Sequence, residues 1–147
     1  MTFASVELFF DQKGNILLIP GWKDSIGIGR QSMKYSNLEH GYTEKILGKE
    51  IMKALDISKI NEQEDPNQKV FLVAGNVKNW RAFQKKYECV DVIIDGEMIW
   101  WISKEKKCKD GSYGLDKDEL DKYQRKFTEP LSAEQLGKIV LEMLALK

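Results

Sequence analysis

The sequence predicts an α+β fold: a single domain over residues 1–147, with a mostly antiparallel twisted sheet and two main helices, at about 43–58 and 132–146, packed on it. Three observations lead there. The chain opens with two apolar, β-prone runs, residues 3–10 and 15–19, joined by Asp11-Gln12-Lys13-Gly14. A second pair of apolar runs, Val90 to Ile94 and Glu97 to Ile102, is joined by Asp95-Gly96. Finally, TEKILGKEIMKAL (43–55) and SAEQLGKIVLEML (132–144) align without a gap, with Thr43 on Ser132, Leu47-Gly48-Lys49 on Leu136-Gly137-Lys138, Ile51 on Val140 and Leu55 on Leu144.

In the opening hairpin, Gly14 supplies the positive φ that closes the turn. Residues 20–36, PGWKDSIGIGRQSMKYS, are rich in Gly and Ser and read as a long loop with one short strand near its end. From Thr43 to about Ser58, Leu47, Ile51, Ala54 and Leu55 fall on one helical stripe. INEQEDPNQK (60–69) is a polar, exposed connection. Val70 to Val73 reads as a short strand, and NWRAFQKKY (79–87) has the spacing of a short amphipathic helix. Asp95-Gly96 predicts a type I′ hairpin, since both residues of that turn need positive φ. Residues 104–126 are charged and irregular, with a strand at their end.

The last helix is the best specified. Ser132 and Gln135 form a capping box, Pro130 blocks an earlier start, and Leu136, Ile139, Val140, Met143 and Leu144 form one apolar stripe. Gly137 lies beside that stripe, where glycine costs about 1 kcal/mol relative to alanine. Close approach of the helix backbone to a sheet would offset the cost, and Gly48 would do the same in the first helix.

A chain of 147 residues buries roughly 68–70% of its unfolded surface, enough for a real core. Its 23 Lys+Arg balance 23 Asp+Glu, so no global field draws it to nucleic acid or an anionic membrane. The start, MTFASVELFFDQKG, has no basic leader or long apolar core, and no run of about 18 apolar residues occurs, so a soluble, cytoplasmic protein is expected. Cys89 and Cys108 form no disulfide framework and are expected as reduced thiols.

Catalytic residues are few. His40 is the single histidine and has no cysteine or carboxylate at ligand spacing, so local motifs assemble neither a zinc site nor a triad. GIGRQS (27–32) lacks the third glycine of a dinucleotide fingerprint, and DGSYGLDKDELD (110–121) lacks the central glycine and terminal glutamate of a calcium loop. No cofactor, no metal and no enzymatic activity are expected. The basic clusters, Lys104 to Lys109 and Lys122 to Lys126, abut the acidic run Asp116, Asp118, Glu119 and Asp121, which repels phosphate. That acidic run suits instead a basic groove on a protein partner. In the type I′ register Trp101 shares a face with Val90, Val92 and Ile99, while Trp100 lies opposite, beside Asp91, and is the candidate interface anchor.

In order, the landmarks are an N-terminal hairpin, the helix LGKEIMKALDIS, Val77-Lys78-Asn79-Trp80 opening a short helix, the Val90 to Ile102 hairpin and the closing EPLSAEQLGKIVLEML. This order resembles the immunity proteins of bacterial contact-dependent growth inhibition systems, which bind and neutralise the toxic C-terminal domain of a delivered effector. Residues 20–36 and 104–126 match nothing in that pattern. The resemblance implies a cytoplasmic, non-enzymatic α+β protein that covers a toxin's active site or locks it by an edge strand, with no catalytic residues to carry across. The toxin is expected to be a nuclease and the contact surface to include Trp22, Trp100, Asp116, Asp118, Glu119 and Tyr123. The alternative is an interaction or assembly domain of another small bacterial system, without a toxin partner.

Overall fold

A computed structural model of the chain describes residues 3–147. Its strands are β1 (Ala4–Phe10), β2 (Ile16–Lys23), β3 (Gly29–Gln31), β4 (Ser36–Leu38), β5 (Glu88–Ile94), β6 (Trp100–Lys107), β7 (Tyr113–Gly114) and β8 (Gln124–Phe127). Its helices are α1 (Glu44–Ile60), α2 (Val70–Gly75), α3 (Trp80–Lys86), α4 (Leu120–Tyr123) and α5 (Ala133–Leu144). The strands form one antiparallel sheet in the order β3-β2-β1-β5-β6-β7, with β4 also on β2 and β8 also on β6. The α+β class and the two main helices are as the sequence predicts. No helix among the described residues is long and apolar enough to cross a membrane.

One turn design recurs at four hairpin ends. Asp11, Asp24, Asp95 and Cys108 each donate a backbone N–H to the carbonyl four residues on and accept one from the residue three on. The fourth position of each turn has positive φ: Gly14, Gly27, Met98 and Gly111. The three aspartates also accept backbone N–H bonds two and four residues ahead, at 2.8 to 3.1 Å. This is the three-residue loop with a left-handed bulge residue.

The Asp95 turn corrects the expected type I′ hairpin. Gly96 does not use a positive φ, and the pairing is Ile94 with Trp100, Ile93 with Trp101 and Val92 with Ile102. This register differs from the expected one by three residues, an odd number, so every β6 side chain changes face. Trp100 joins the buried side with Val92 and Ile94, and Trp101 takes the other. The reason lies further along the strand. The type I′ register would put Ser103 and Glu105 under a helix, whereas the observed one buries Ile102 and Trp100. Met98, half exposed, then occupies a left-handed position costing roughly 1–2 kcal/mol for a residue with a Cβ. Met98→Gly is therefore expected to raise stability by about 0.5–1 kcal/mol, read as a higher denaturant midpoint at unchanged slope. A fall in midpoint would mean that the Met98 side chain contributes more than the strain costs.

One face of the sheet carries α1 and α5. The even positions Val6, Leu8, Leu18, Val90, Val92 and Ile102 pack there against Leu47, Ile51, Leu55, Leu136 and Val140. Thr43 caps α1 by accepting the Ile46 N–H at 3.1 Å, and Ser132 and Gln135 make both bonds of the capping box at α5. The two glycines are where the sequence places a close approach, but the partner differs. A Cβ on Gly48 would lie 1.7 Å from the Ala133 carbonyl oxygen, and one on Gly137 would lie 1.9 Å from that of Glu44. The helices thus press on each other, not on the sheet. In the sequence alignment Glu44 matches Ala133 and Gly48 matches Gly137, so the two contacts interchange, as in a crossing with local two-fold symmetry.

The opposite face is covered over part of its area by α2 and α3. Residues 70–75 form a helix, not the expected strand. Four apolar residues do not distinguish the two, and here Val70 and Phe71 both pack downward on Phe9, Leu17 and Ile19, which a two-residue alternation cannot do. Asn76 in the left-handed region ends that helix, and Asn79 caps α3 through the Ala82 N–H at 2.9 Å. In the polar connection 61–69, Glu64 accepts bonds from the Ser32 hydroxyl at 2.6 Å and the Met33 N–H at 2.9 Å.

Candidate functional site

The uncovered remainder of the second face is the most polar part of the sheet. Glu7 pairs with Asp91 across β1 and β5, Asp91 with Ser103 across β5 and β6, and Cys89 with Glu105 two residues further along β5 and β6. All these side chains point the same way. One ligand atom from each of Glu7, Cys89, Asp91 and Glu105 lies within 4.8 Å of the others. The Cys89 Sγ, fully buried, is 3.8 Å from Asp91 Oδ1, and Gln31 on β3 donates to Glu7 Oε1 at 2.9 Å. A cleft of about 290 Å³ opens over Ser5, Glu7, Gly21, Asp91 and Ile93. A second, of about 310 Å³, lies between Glu7, Gln31, Phe71 and Trp80.

Burial, and then the nearby Glu105 carboxyl, outweigh the Gln31 hydrogen bond and push Glu7 up to about 7. Burial, then the hydrogen-bonded Glu105 carboxyl and the Glu7 charge, hold Asp91 well above the usual carboxylate range. Burial and the same three carboxylates raise the Cys89 thiol, so it is neutral at pH 7 and a poor nucleophile. Among the described residues no ion pair reaches Glu7, Asp91 or Glu105. Carboxyls and thiol together could hold a divalent cation or a basic group.

The electrostatics set a pH dependence. An unfolded Glu7 titrates near 4.5 and a folded one near 7, so between those values the folded state binds the extra proton. Stability is then fully present below the unfolded value and declines as pH rises through the folded one, and Asp91 adds in the same direction. The thermal midpoint is expected to fall from about pH 5 to about pH 8, with Glu7→Gln and Asp91→Asn flattening that slope. A midpoint rising across this window would contradict the assignment.

The residues that the sequence singled out lie elsewhere. Trp22, Trp100 and Tyr123, expected to belong to the contact surface, are 4%, 8% and 3% exposed in this structure. Trp22 donates from Nε1 to the Gln31 carbonyl at 3.1 Å. Tyr123 donates to the Lys147 carbonyl at 2.7 Å beneath the Lys106 ammonium. Trp101 is the half-buried tryptophan of the pair and bonds Asp95 Oδ2 at 3.0 Å. Asp116 caps the short 3₁₀ turn Lys117–Glu119 and pairs with Lys106 at 2.8 Å. Asp118 and Glu119 are exposed. His40 contacts Asn15 Oδ1 at 3.1 Å in an exposed loop. Of these, Trp101 lies on the carboxylate side of the sheet, across from Ile93, and Trp22 lines the first cleft; Trp100, Tyr123, Asp116, Asp118, Glu119 and His40 lie away from it. Glu7 and Asp91 were legible as single charges inside apolar strands, SVELFF and VDVII; their adjacency was not.

No protein-family model and no curated protein matches the sequence. Solved structures do share the fold. One is a protein of unknown function from Neisseria meningitidis, with a TM-score of 0.68 and 13% identity, covering 98% of this chain and 93% of that one. Another is a chain of the CdiA-CT/CdiI toxin and immunity complex from Yersinia pseudotuberculosis, with a TM-score of 0.59 and 16% identity, covering 98% of this chain and 95% of that one.

Proposed function

We propose that this protein is an immunity protein, which binds the toxin domain of a contact-dependent growth inhibition effector and neutralises it by covering its active site. The observation that carries this reading is the likeness over 98% of the chain to a chain of a toxin and immunity complex. The order of sequence motifs supports it independently. Inhibition by occlusion requires a complementary surface and no reacting groups, so the protein itself need not be an enzyme. A nuclease is the proposed toxin, acting in the cytoplasm, where the immunity protein would meet it. Nucleic acid and membrane are not partners in this reading, and no cofactor takes part.

The acidic segment contributes through Asp118 and Glu119, since Asp116 is already engaged by Lys106. Long-range attraction raises the association rate and fades with salt. Replacing Asp118 and Glu119 by serine is expected to slow association several-fold at low salt and to flatten its salt dependence. An unchanged rate and salt slope would remove this segment from the interface.

The direct test is co-expression with the C-terminal domain of a candidate effector, sought first among neighbouring genes, scoring growth and copurification. Rescue with a stoichiometric complex supports neutralisation by binding. An active toxin that is neither bound nor neutralised overturns it for that pair.

A further inference from the structure

We propose that the open part of the second sheet face is a docking surface for an arginine side chain of the partner, received between Glu7 and Asp91. This rests on the toxin-binding reading and specifies its chemistry. The surface is a gap in an otherwise covered fold. Helices α2 and α3 roof Phe9, Leu17, Ile19 and Cys89, while Ser5, Ile93 and Trp101 on the same side are only partly buried. The two clefts meet at Glu7 and Gln31, and each is at the small end of ligand pockets, matched to a side chain rather than a cofactor.

Charge selects the occupant. Three carboxylates converge here, and the cations lining the first cleft are committed elsewhere: Arg30 to Asp24 at 3.1 Å, and Lys23 over the Phe3 ring at 3.9 Å. Among the described residues no ion pair reaches these carboxylates; Lys69 stands at the mouth of the second cleft and Lys126 over the Trp101 ring at 5.4 Å. A guanidinium bridges two carboxylates through paired N–H donors, which an ammonium cannot match, and its stem lies on apolar surface such as Ile93 and Trp101. Clustering the carboxylates raises the free energy of the isolated protein, and an arriving cation relieves it. Neutralising one of them should thus strengthen folding and weaken binding together, a combination that a purely structural cluster would not produce.

The groups around Glu7 are Lys23 on β2, Arg30 and Gln31 on β3, Cys89 and Asp91 on β5, Glu105 on β6 and Tyr113 on β7, with Asp65 and Lys69 at the mouth of the second cleft. A bound guanidinium favours the ionised carboxylates, so binding releases protons and tightens as pH rises through the neutral range.

The first arm of the test needs no toxin. N-acetyl-argininamide is titrated into the 15N-labelled protein at mildly alkaline pH, with the neutral citrulline analogue and zinc sulfate as comparisons. Saturable shifts confined to the Ser5, Glu7 and Asp91 amides and the Trp101 indole, absent with citrulline, are expected. Asp91→Asn and Glu7→Gln should weaken that response at least tenfold while raising the thermal midpoint. Equal response to citrulline, shifts elsewhere, or stoichiometric zinc binding that blocks argininamide would overturn the proposal, the last by assigning the floor to a metal ion. The second arm uses the toxin domain that copurifies. If the two variants bind it as tightly as the parent chain, this surface is wrong while the immunity reading stands. If argininamide binds the floor and the toxin is not bound, the surface stands and the immunity reading fails.

Discussion

Replacing Gly48 by alanine is expected to destabilise the protein by about 3 kcal/mol, near the top of the usual range for overpacking. The added Cβ would sit 1.7 Å from the Ala133 carbonyl oxygen and 2.4 Å from its carbon. These are backbone atoms, so no rotamer change relieves the contact, and the two helices must separate. Intrinsic helix propensity favours alanine by about 1 kcal/mol, so a net loss isolates the packing term. Gly137→Ala should behave alike, because its Cβ meets the Glu44 carbonyl at 1.9 Å. The double variant should cost less than the two single losses added, since helices already spread by one methyl accommodate the other. Gly96→Ala is the control: nothing lies within 4 Å of its Cβ and its φ is not positive, so it should be near neutral. Full additivity would mean that the two contacts yield independently and that the helices do not move as a pair.

Phe83→Ala is expected to cost about 3–5 kcal/mol and to act on the opposite side of the sheet. Phe83 is fully buried, edge-on to Phe9 at 4.8 Å, tilted against Tyr87 at 4.7 Å, and within 5.9 Å of both Phe71 and Trp80. It ties α3 to both α2 and the sheet, beside the stack of Phe71 on Trp80 at 3.7 Å. Its loss should release α2 and α3 first, so their amides exchange faster in hydrogen exchange than those of α1 and α5. Uniform acceleration across all the helices would show that the two sides of the sheet unfold as a unit.

How much of this was legible in the sequence varied with the range of the interaction. The α5 capping box, the Thr43 cap, the Gly14 turn and the stripes of α1 and α5 were readable because each is decided within about one turn of chain. The α2 segment was not, since four apolar residues suit a strand or a helix until the surface they cover is known. Asp95-Gly96 misled for a related reason. The pair favours a tight turn locally, but the alternation of Trp100, Ile102, Ser103 and Glu105 fixes the register by deciding which side chains the helices cover. Trp100 then fell on the buried side and Trp101 on the open one.

By itself the sequence determined the class, the stripes of the two main helices, where those helices start, the Gly14 turn, and that Gly48 and Gly137 need a close neighbour. Tertiary structure alone decided that each glycine's neighbour is the other helix, that Met98 takes the left-handed place, and that Glu7, Asp91 and Glu105 share one floor. The physical reason is the same in each case. Caps and turns are set by hydrogen bonds between residues a few positions apart, whereas helix crossing, register and convergence of charge depend on which faces exclude water once β1 lies beside β5.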